Sequence, residues 1–174
     1  MDKRALKREH EQFIGDTLVE TLGLKPADHK LGNDHGEPDI IYKIDNRGIG
    51  IEIATAYYED GDAREEWTLA RGERGFAVGG IEPRVAGPIG NPDEVICDRI
   101  QRELDDKCAK RYTGADEIWL CIEQRAALSD AHSVEACIER LRIPESGFQK
   151  IYLFYQAPLN DGGGYRAVKL YEHA

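Results

Sequence analysis

A chain of 174 residues has the length of one compact domain, and its 41% hydrophobic and 32% charged residues are enough for a core and a solvated surface. The formal net charge of −10 argues against a passive nucleic-acid coat protein, which needs a basic surface to neutralise phosphates. It does not exclude an enzyme that acts on nucleic acid, because acidic sites bind divalent cations and a basic patch can coexist with an acidic whole.

The amino terminus is charged, and no apolar stretch follows it that would serve as a signal peptide or a membrane span. We therefore expect a cytoplasmic protein that does not bind membranes. The four cysteines are widely spaced inside apolar patterns: Cys97, Cys108, Cys121 and Cys137. Because CxxC and Cys/His ligand spacings are missing, the sequence predicts buried free thiols and neither a zinc site nor disulfides.

The first half of the chain predicts a helix followed by a β-hairpin. Apolar residues recur at helical spacing over residues 4–22, and the polar loop 25–37 that follows has room for a short edge strand. Over residues 38–55 the apolar period changes to two, which indicates a hairpin. A turn centred on Asn46 and Arg47 would pair Ile44 with Ile49. In this register six apolar side chains share one face: Ile40, Tyr42, Ile44, Ile49, Ile51 and Ile53.

The second half predicts alternating helices and strands. A short helix is expected over residues 62–70, then a flexible glycine-rich insertion at about residues 71–91, where Arg71, Arg74 and Arg84 would suit a lid over a phosphodiester backbone. Helices are expected over residues 91–111 and 133–141, and strands over 117–122, 150–155 and 165–171. Strand, helix and strand in this order imply a right-handed parallel unit. We therefore expect one α/β domain spanning residues 1–174, with a mixed β-sheet flanked by helices.

The polar face of the predicted hairpin carries two carboxylates. In the predicted register Asp39 pairs with Ala54, which makes Asp39 and Glu52 diagonal neighbours. Two carboxylates so placed repel each other unless a positive charge lies between them. Magnesium accepts one or two carboxylates together with waters and substrate phosphate, so the pair suits Mg²⁺, with Mn²⁺ as a substitute. The alternative is a solvated hairpin face whose two acids are balanced by Lys43.

The hairpin motif resembles a known family. The sequence Gly36-Glu37-Pro38-Asp39, followed after twelve residues by Glu52-Ile53-Ala54, is similar to the PD-(D/E)XK nuclease superfamily. The resemblance implies a restriction-endonuclease-like core in the order α-β-β-α-β-α-β, in which the motif hairpin is followed by a βαβ unit. It also implies Mg²⁺-dependent hydrolysis of DNA or RNA phosphodiesters, with Asp39 and Glu52 as catalytic metal ligands. Many relatives add an acid from the first helix, and Glu11 is the corresponding candidate; a solvated helix flank is the alternative.

One position departs from the family motif, which has a lysine two residues after the second acid, where this chain has Ala54. Such a cation orients the attacking water and stabilises charge on the phosphate. Either the lysine comes from elsewhere, or the site has lost its activity. On the predicted helix 91–111, Lys107 falls inside an apolar stripe and Lys110 lies nearer its edge, so both are candidates for a relocated catalytic lysine. Lys43 is a weaker one. Alternatively, Lys107 covers apolar surface with its stem while its ammonium stays in water.

These patterns predict a metal-dependent endonuclease, with nucleic acid as its partner and DNA favoured over RNA. A homodimer would suit double-strand cleavage. The alternative is a catalytically inactive member of the same fold that serves as a binding or interaction module, consistent with Ala54 and the acidic total charge. A third hypothesis is an unrelated α/β protein that carries the motif by chance.

Overall fold

The computed structural model of the protein describes residues 3–33, 36–57, 92–125, 131–157 and 162–173. The helix predicted over residues 62–70 and the glycine-rich insertion at 71–91 lie outside these ranges. The elements in chain order are α1 (Lys3–Thr21), β1 (Asp28–Leu31), β2 (Ile40–Ile44), β3 (Arg47–Tyr57), α2 (Pro92–Cys108), β4 (Glu117–Arg125), α3 (Ala131–Ile138), β5 (Lys150–Gln156) and β6 (Tyr165–Glu172). None of the described helices combines the length and apolar character that crossing a membrane requires.

The six described strands form one mixed sheet in the order β1-β2-β3-β4-β5-β6. The central strands β3, β4 and β5 run parallel, and the outer pairs β1–β2, β2–β3 and β5–β6 are antiparallel. Parallel neighbours need a crossover connection, and α3 lies in the connection from β4 to β5. The predicted α/β class and mixed sheet are confirmed, as is the short edge strand before the hairpin.

The register predicted for the hairpin is wrong by two residues. Tyr42 pairs with Ile49, and Ile44 pairs with Arg47. The cause is the turn, in which Asp45 and Asn46 both have positive φ, +50° and +62°. A two-residue turn of this mirror-image type matches the twist of the strands, and Asp and Asn tolerate positive φ better than most residues. Because the error is two residues, each side chain keeps its predicted face, and the six apolar residues still share one side.

The sheet separates two apolar cores. On one face, α1 packs Ile14 and Leu18 against the hairpin and against Phe154 of β5. Gly15 permits this close approach, because a Cβ there would lie 2.7 Å from the Ile40 Cδ1 atom. On the other face, α2 and α3 cover the central strands through a cluster that includes Ala54, Ile100, Leu104, Leu120, Val134 and Ile151. All four cysteines are buried and free, as predicted.

A buried carboxylate ties α1 to the sheet. β4 extends to Arg125, beyond its predicted end at residue 122, and this places Glu123 on the α1 side with 4% of its surface exposed. Its Oε2 atom accepts hydrogen bonds from His10 Nε2 at 2.7 Å and from Thr55 Oγ1 at 3.0 Å. Three separate elements therefore meet at one carboxylate.

Glu123→Ala should lower the free energy of unfolding by about 3 kcal/mol, because it removes the buried carboxylate that the half-buried His10 imidazole and Thr55 hydroxyl share as an acceptor. Thr55→Val keeps the side-chain shape and should cost only about 1 kcal/mol. Urea unfolding followed by circular dichroism measures both, with Glu135→Ala on the exposed side of α3 as the control. A loss for Glu123→Ala no larger than that for Glu135→Ala would contradict this role.

Candidate functional site

The hairpin places Asp39 directly opposite Glu52. Ile40 pairs with Ile51, so Asp39 and Glu52 occupy the next opposing positions, and the diagonal relation predicted from the sequence is wrong. The Asp39 Oδ2 atom accepts a hydrogen bond from the Ile53 backbone N–H at 2.8 Å. The Ile53 N–H lies beyond the last residue pair of β2 and β3, so no backbone carbonyl of β2 accepts it. The Asp39 carboxylate accepts it in place of a backbone carbonyl. The β3 backbone therefore fixes one oxygen of Asp39.

A glycine in β3 makes room for the residue before Asp39. A Cβ at Gly50 would lie 2.4 Å from the Cγ atom of Pro38 and 3.1 Å from the Cβ atom of Ala115. Both distances are shorter than a side chain at this position could accept without displacing its neighbours. The missing side chain at Gly50 therefore lets the Pro38 ring pack on β3, next to the carboxylate.

Helix α2 supplies a cation to the pair. The Lys107 Nζ atom lies 2.7 Å from Glu52 Oε1, and the two side chains are 18% and 8% exposed. Lys107 therefore faces inward, as its place in the apolar stripe predicts, and its ammonium pairs with a carboxylate. Ala54, which occupies the lysine position of the motif, is buried in the core on this face. The ammonium therefore approaches Glu52 from the helix and not from the strand.

Negative charge exceeds positive charge around the pair. Burial and the neighbouring Asp39 raise the pKa of Glu52, although Lys107 opposes the shift. Burial and the charge of Glu11 raise the pKa of Asp39, despite the Ile53 N–H and Lys107. Burial acts to lower the pKa of Lys107, but Glu52, Asp39 and Glu103 outweigh it and raise the value. Further positive charge would therefore stabilise the ionised carboxylates.

Glu11 is brought to the same region. It is 8% exposed, and its Oε1 atom forms an ion pair with Lys7 Nζ at 2.8 Å, one helical turn away. The charges of Glu11 and Lys7 both influence the pKa of Asp39, in opposite directions. Within the described residues, however, Glu11, Asp39 and Glu52 do not form a group that could hold one metal ion, so the structure does not place Glu11 as the third ligand that the resemblance implies.

The other candidate lysines lie elsewhere. α2 ends at Cys108, earlier than predicted, so Lys110 follows the helix, and its Nζ atom lies 2.6 Å from Asp106 Oδ2 in an exposed ion pair. Lys43 is exposed on β2, opposite Gly48 and close to the turn. The structure brings neither ammonium to the carboxylate pair.

Sequence reasoning missed Tyr112, which lies in the loop after α2. Burial, with the charges of Glu52 and Asp39, raises the pKa of its hydroxyl above the ordinary tyrosine value. The buried Tyr112 hydroxyl interacts with the Glu52 carboxylate, although the contact falls short of a well-aligned hydrogen bond. No periodicity marks a loop residue, so nothing in the sequence pointed to it.

The donor atoms suit a hard divalent cation. Asp39 and Glu52 would hold it, and two carboxylates completed by waters are a usual set for Mg²⁺. Within the described ranges no group of three or more His, Cys, Asp or Glu residues is arranged as a ready metal cage. The described residues therefore offer two carboxylates, a set that Mg²⁺ would complete with waters, and no ready ligand set for zinc or calcium.

Comparisons with known protein families, curated proteins and solved structures find no match for this chain. A functional interpretation consequently depends on the geometry and electrostatics of the site. Asp39 and Glu52 lie on the hairpin, Lys107 on α2 and Tyr112 in the loop after α2. Their charged and polar groups are close enough to influence one another's pKa values.

The raised pKa of Asp39 predicts a pH-dependent gain of stability in Asp39→Asn. When folding raises the pKa of a carboxyl, the ionised carboxylate destabilises the folded protein. This destabilisation is fully present above the pKa of the folded state and disappears below the pKa of the unfolded state. Near pH 7 the free energy of unfolding of Asp39→Asn should exceed that of the wild type by about 1 kcal/mol. Near pH 3 the two values should be equal. Urea unfolding at both pH values measures the difference. A variant less stable than wild type near pH 7 would show that the ionised carboxylate is well compensated.

Proposed function

We propose that this chain is a metal-dependent nuclease, a divergent member of the PD-(D/E)XK superfamily that hydrolyses phosphodiesters of nucleic acid. One observation carries the proposal: the Lys107 ammonium lies 2.7 Å from Glu52, which stands opposite Asp39. The superfamily motif needs two acids and a cation on one face of a hairpin. Here α2 provides the cation that the strand lacks at Ala54.

The order of elements supports the same proposal. Without the edge strands β1 and β6, the described elements follow the order α-β-β-α-β-α-β that the resemblance implies. The motif hairpin is β2–β3, and β4, α3 and β5 form the parallel unit after it. The two acids thus stand where β2 meets β3, beside the parallel strands of the sheet.

The residues of the site have distinct chemical tasks. A bound Mg²⁺ would supply Lewis-acid stabilisation of the phosphate and lower the pKa of an attacking water. Asp39 and Glu52 supply the negative charge that holds such an ion. Because its pKa is raised, Lys107 is protonated near neutral pH, and so acts as a hydrogen-bond donor and positive charge and not as a base. Cleavage should fall with decreasing pH as the two carboxyls, whose pKa values are raised, take up protons.

Incubation of the protein with plasmid and with single-stranded DNA and RNA tests the proposal. We expect cleavage with Mg²⁺ or Mn²⁺ and none with EDTA, and stronger cleavage of DNA than of RNA. If the folded wild type cleaves none of these substrates with either ion, it is not a nuclease.

A second candidate is a nuclease-fold module that binds nucleic acid without cleaving it. The Lys107–Glu52 ion pair favours it, because the pair already neutralises one of the two acids. The absence of a three-ligand group from the described residues points the same way. Binding of the same substrates with no cleavage in Mg²⁺ or Mn²⁺ would select this candidate.

A further inference from the structure

A cavity of about 670 Å³ lies beside β4 on the α2 side of the sheet. The segment after α2 forms one wall and the segment before β5 forms the other. Its lining includes Lys110, Arg111, Tyr112, Thr113, Ser146 and Phe148. A volume of this size is within the range of cavities that take small organic ligands, which a single nucleotide would be.

The cavity is close to Glu52. Its floor includes Ile118 of β4, which pairs with Gly50 of β3, and two residues further along the strands Leu120 pairs with Glu52. Alternate residues of a strand share a face, so Ile118, Leu120 and Glu52 all lie on the α2 side of the sheet. A ligand in the cavity would therefore lie on the same side of the sheet as Glu52, about two residues along the strand.

The rim of the cavity carries two cationic side chains and one acidic side chain, Glu145, and so has a positive excess in an acidic protein. Lys110 and Arg111 are adjacent, exposed and part of the lining, whereas the chain as a whole has a net charge of −10. Lys110 also contacts Asp106, and an exposed ion pair of this kind is weak enough to exchange for a phosphate. The rim thus favours an anionic ligand.

Tyr112 connects the cavity with the carboxylates. Its ring packs against Phe148 with 5.4 Å between the ring centroids, and it lines the cavity. Its buried hydroxyl interacts with the Glu52 carboxylate, so the Tyr112 side chain links the cavity wall to the carboxylate pair.

We propose that this cavity binds one nucleotide of a single nucleic-acid strand, next to the phosphate that is cleaved. Lys110 and Arg111 contact the backbone phosphates, and the Tyr112 ring contacts the sugar or base. The inference rests on the proposed function, since it names the part of the substrate that the same site holds. It gives Lys110 a role in binding in place of the catalytic role predicted from the sequence.

Fluorescence anisotropy of labelled oligodeoxythymidine, measured in EDTA so that nothing is cleaved, tests this inference. Lys110→Ala/Arg111→Ala should weaken binding about tenfold and flatten the dependence of log Kd on log salt by about 1.4, as expected for two lost contacts to a single strand. Tyr112→Leu should weaken binding a few-fold without changing that slope, because it removes the aromatic ring and no charge. Lys25→Ala/Lys169→Ala removes the same charge from exposed side chains away from the cavity and is the control.

Equal affinities and slopes for the two double variants would overturn the inference. Because binding is measured without cleavage, its outcome is separate from that of the nuclease assay. A protein that binds as expected but never cleaves would refute the proposed activity and leave this binding site in place. A protein that cleaves, but whose Lys110→Ala/Arg111→Ala variant binds like the control, would refute the binding site alone.

Discussion

Asp39→Asn is expected to reduce Mg²⁺-dependent cleavage of DNA at least about a hundredfold. Asparagine has the same shape and retains an oxygen that can accept the Ile53 N–H, so the hairpin should keep its structure. What the substitution removes is one of the two negative charges that would hold the cation. Initial cleavage rates on plasmid should be measured over a range of Mg²⁺ concentrations. The maximal rate should be lower than that of the wild type, and a higher Mg²⁺ concentration should be needed to reach half of it.

Asp28→Asn is the matched control for this variant. Asp28 also accepts a backbone N–H, that of His29 at 2.8 Å, but it is exposed on β1 at the edge of the sheet. This control should cleave at the wild-type rate. If Asp39→Asn cleaves as fast as Asp28→Asn, Asp39 is not part of the site.

Lys107→Ala is expected to lower kcat by about a hundredfold to a thousandfold while leaving the affinity for Mn²⁺ unchanged or higher. The ammonium would offset charge in the transition state, so its loss affects the rate. It also competes with a cation for Glu52, which it contacts at 2.7 Å, so its loss should not weaken metal binding. Single-turnover kinetics and calorimetric titration with Mn²⁺ separate the two effects.

The melting temperature of Lys107→Ala should also depend on the presence of metal. Removing Lys107 leaves Glu52 buried beside Asp39 without its cation, and such unpaired charge lowers the melting temperature in EDTA. Mn²⁺ should restore most of the loss, because it would compensate the same carboxylates. Lys25→Ala, on an exposed loop, should change neither rate nor stability. Cleavage by Lys107→Ala at the wild-type rate would contradict the relocated-lysine hypothesis.

Local patterns explain why part of the site could be predicted. The period of two in the hairpin assigned Asp39 and Glu52 to one face, and this assignment survived an error of register because a shift of two preserves faces. The apolar stripe of α2 similarly pointed Lys107 inward. The register itself depends on whether Asp45 or Arg47 takes positive φ together with Asn46, and the sequence pattern did not separate these choices.

The missed features are contacts between distant parts of the chain. Tyr112 lies in a loop, and its proximity to Glu52 depends on how α2 packs on the sheet. The hydrogen bond between His10 and Glu123 joins side chains that are 113 positions apart in the sequence. Glu123 also lies one residue past the predicted end of β4 at residue 122, whereas the strand continues to Arg125. No periodicity in one segment can predict which residue of another segment it will face.

A crystal soaked in Mn²⁺ shows, through the anomalous signal of the metal, whether Asp39 and Glu52 form a divalent cation site. We expect an anomalous peak within coordination distance of an oxygen of each carboxylate, about 2.0–2.3 Å for a hard divalent cation, and no peak there in an Asp39→Asn crystal. A well-ordered crystal whose Lys107–Glu52 ion pair is intact, and which has no anomalous peak beside Asp39, would contradict this expectation.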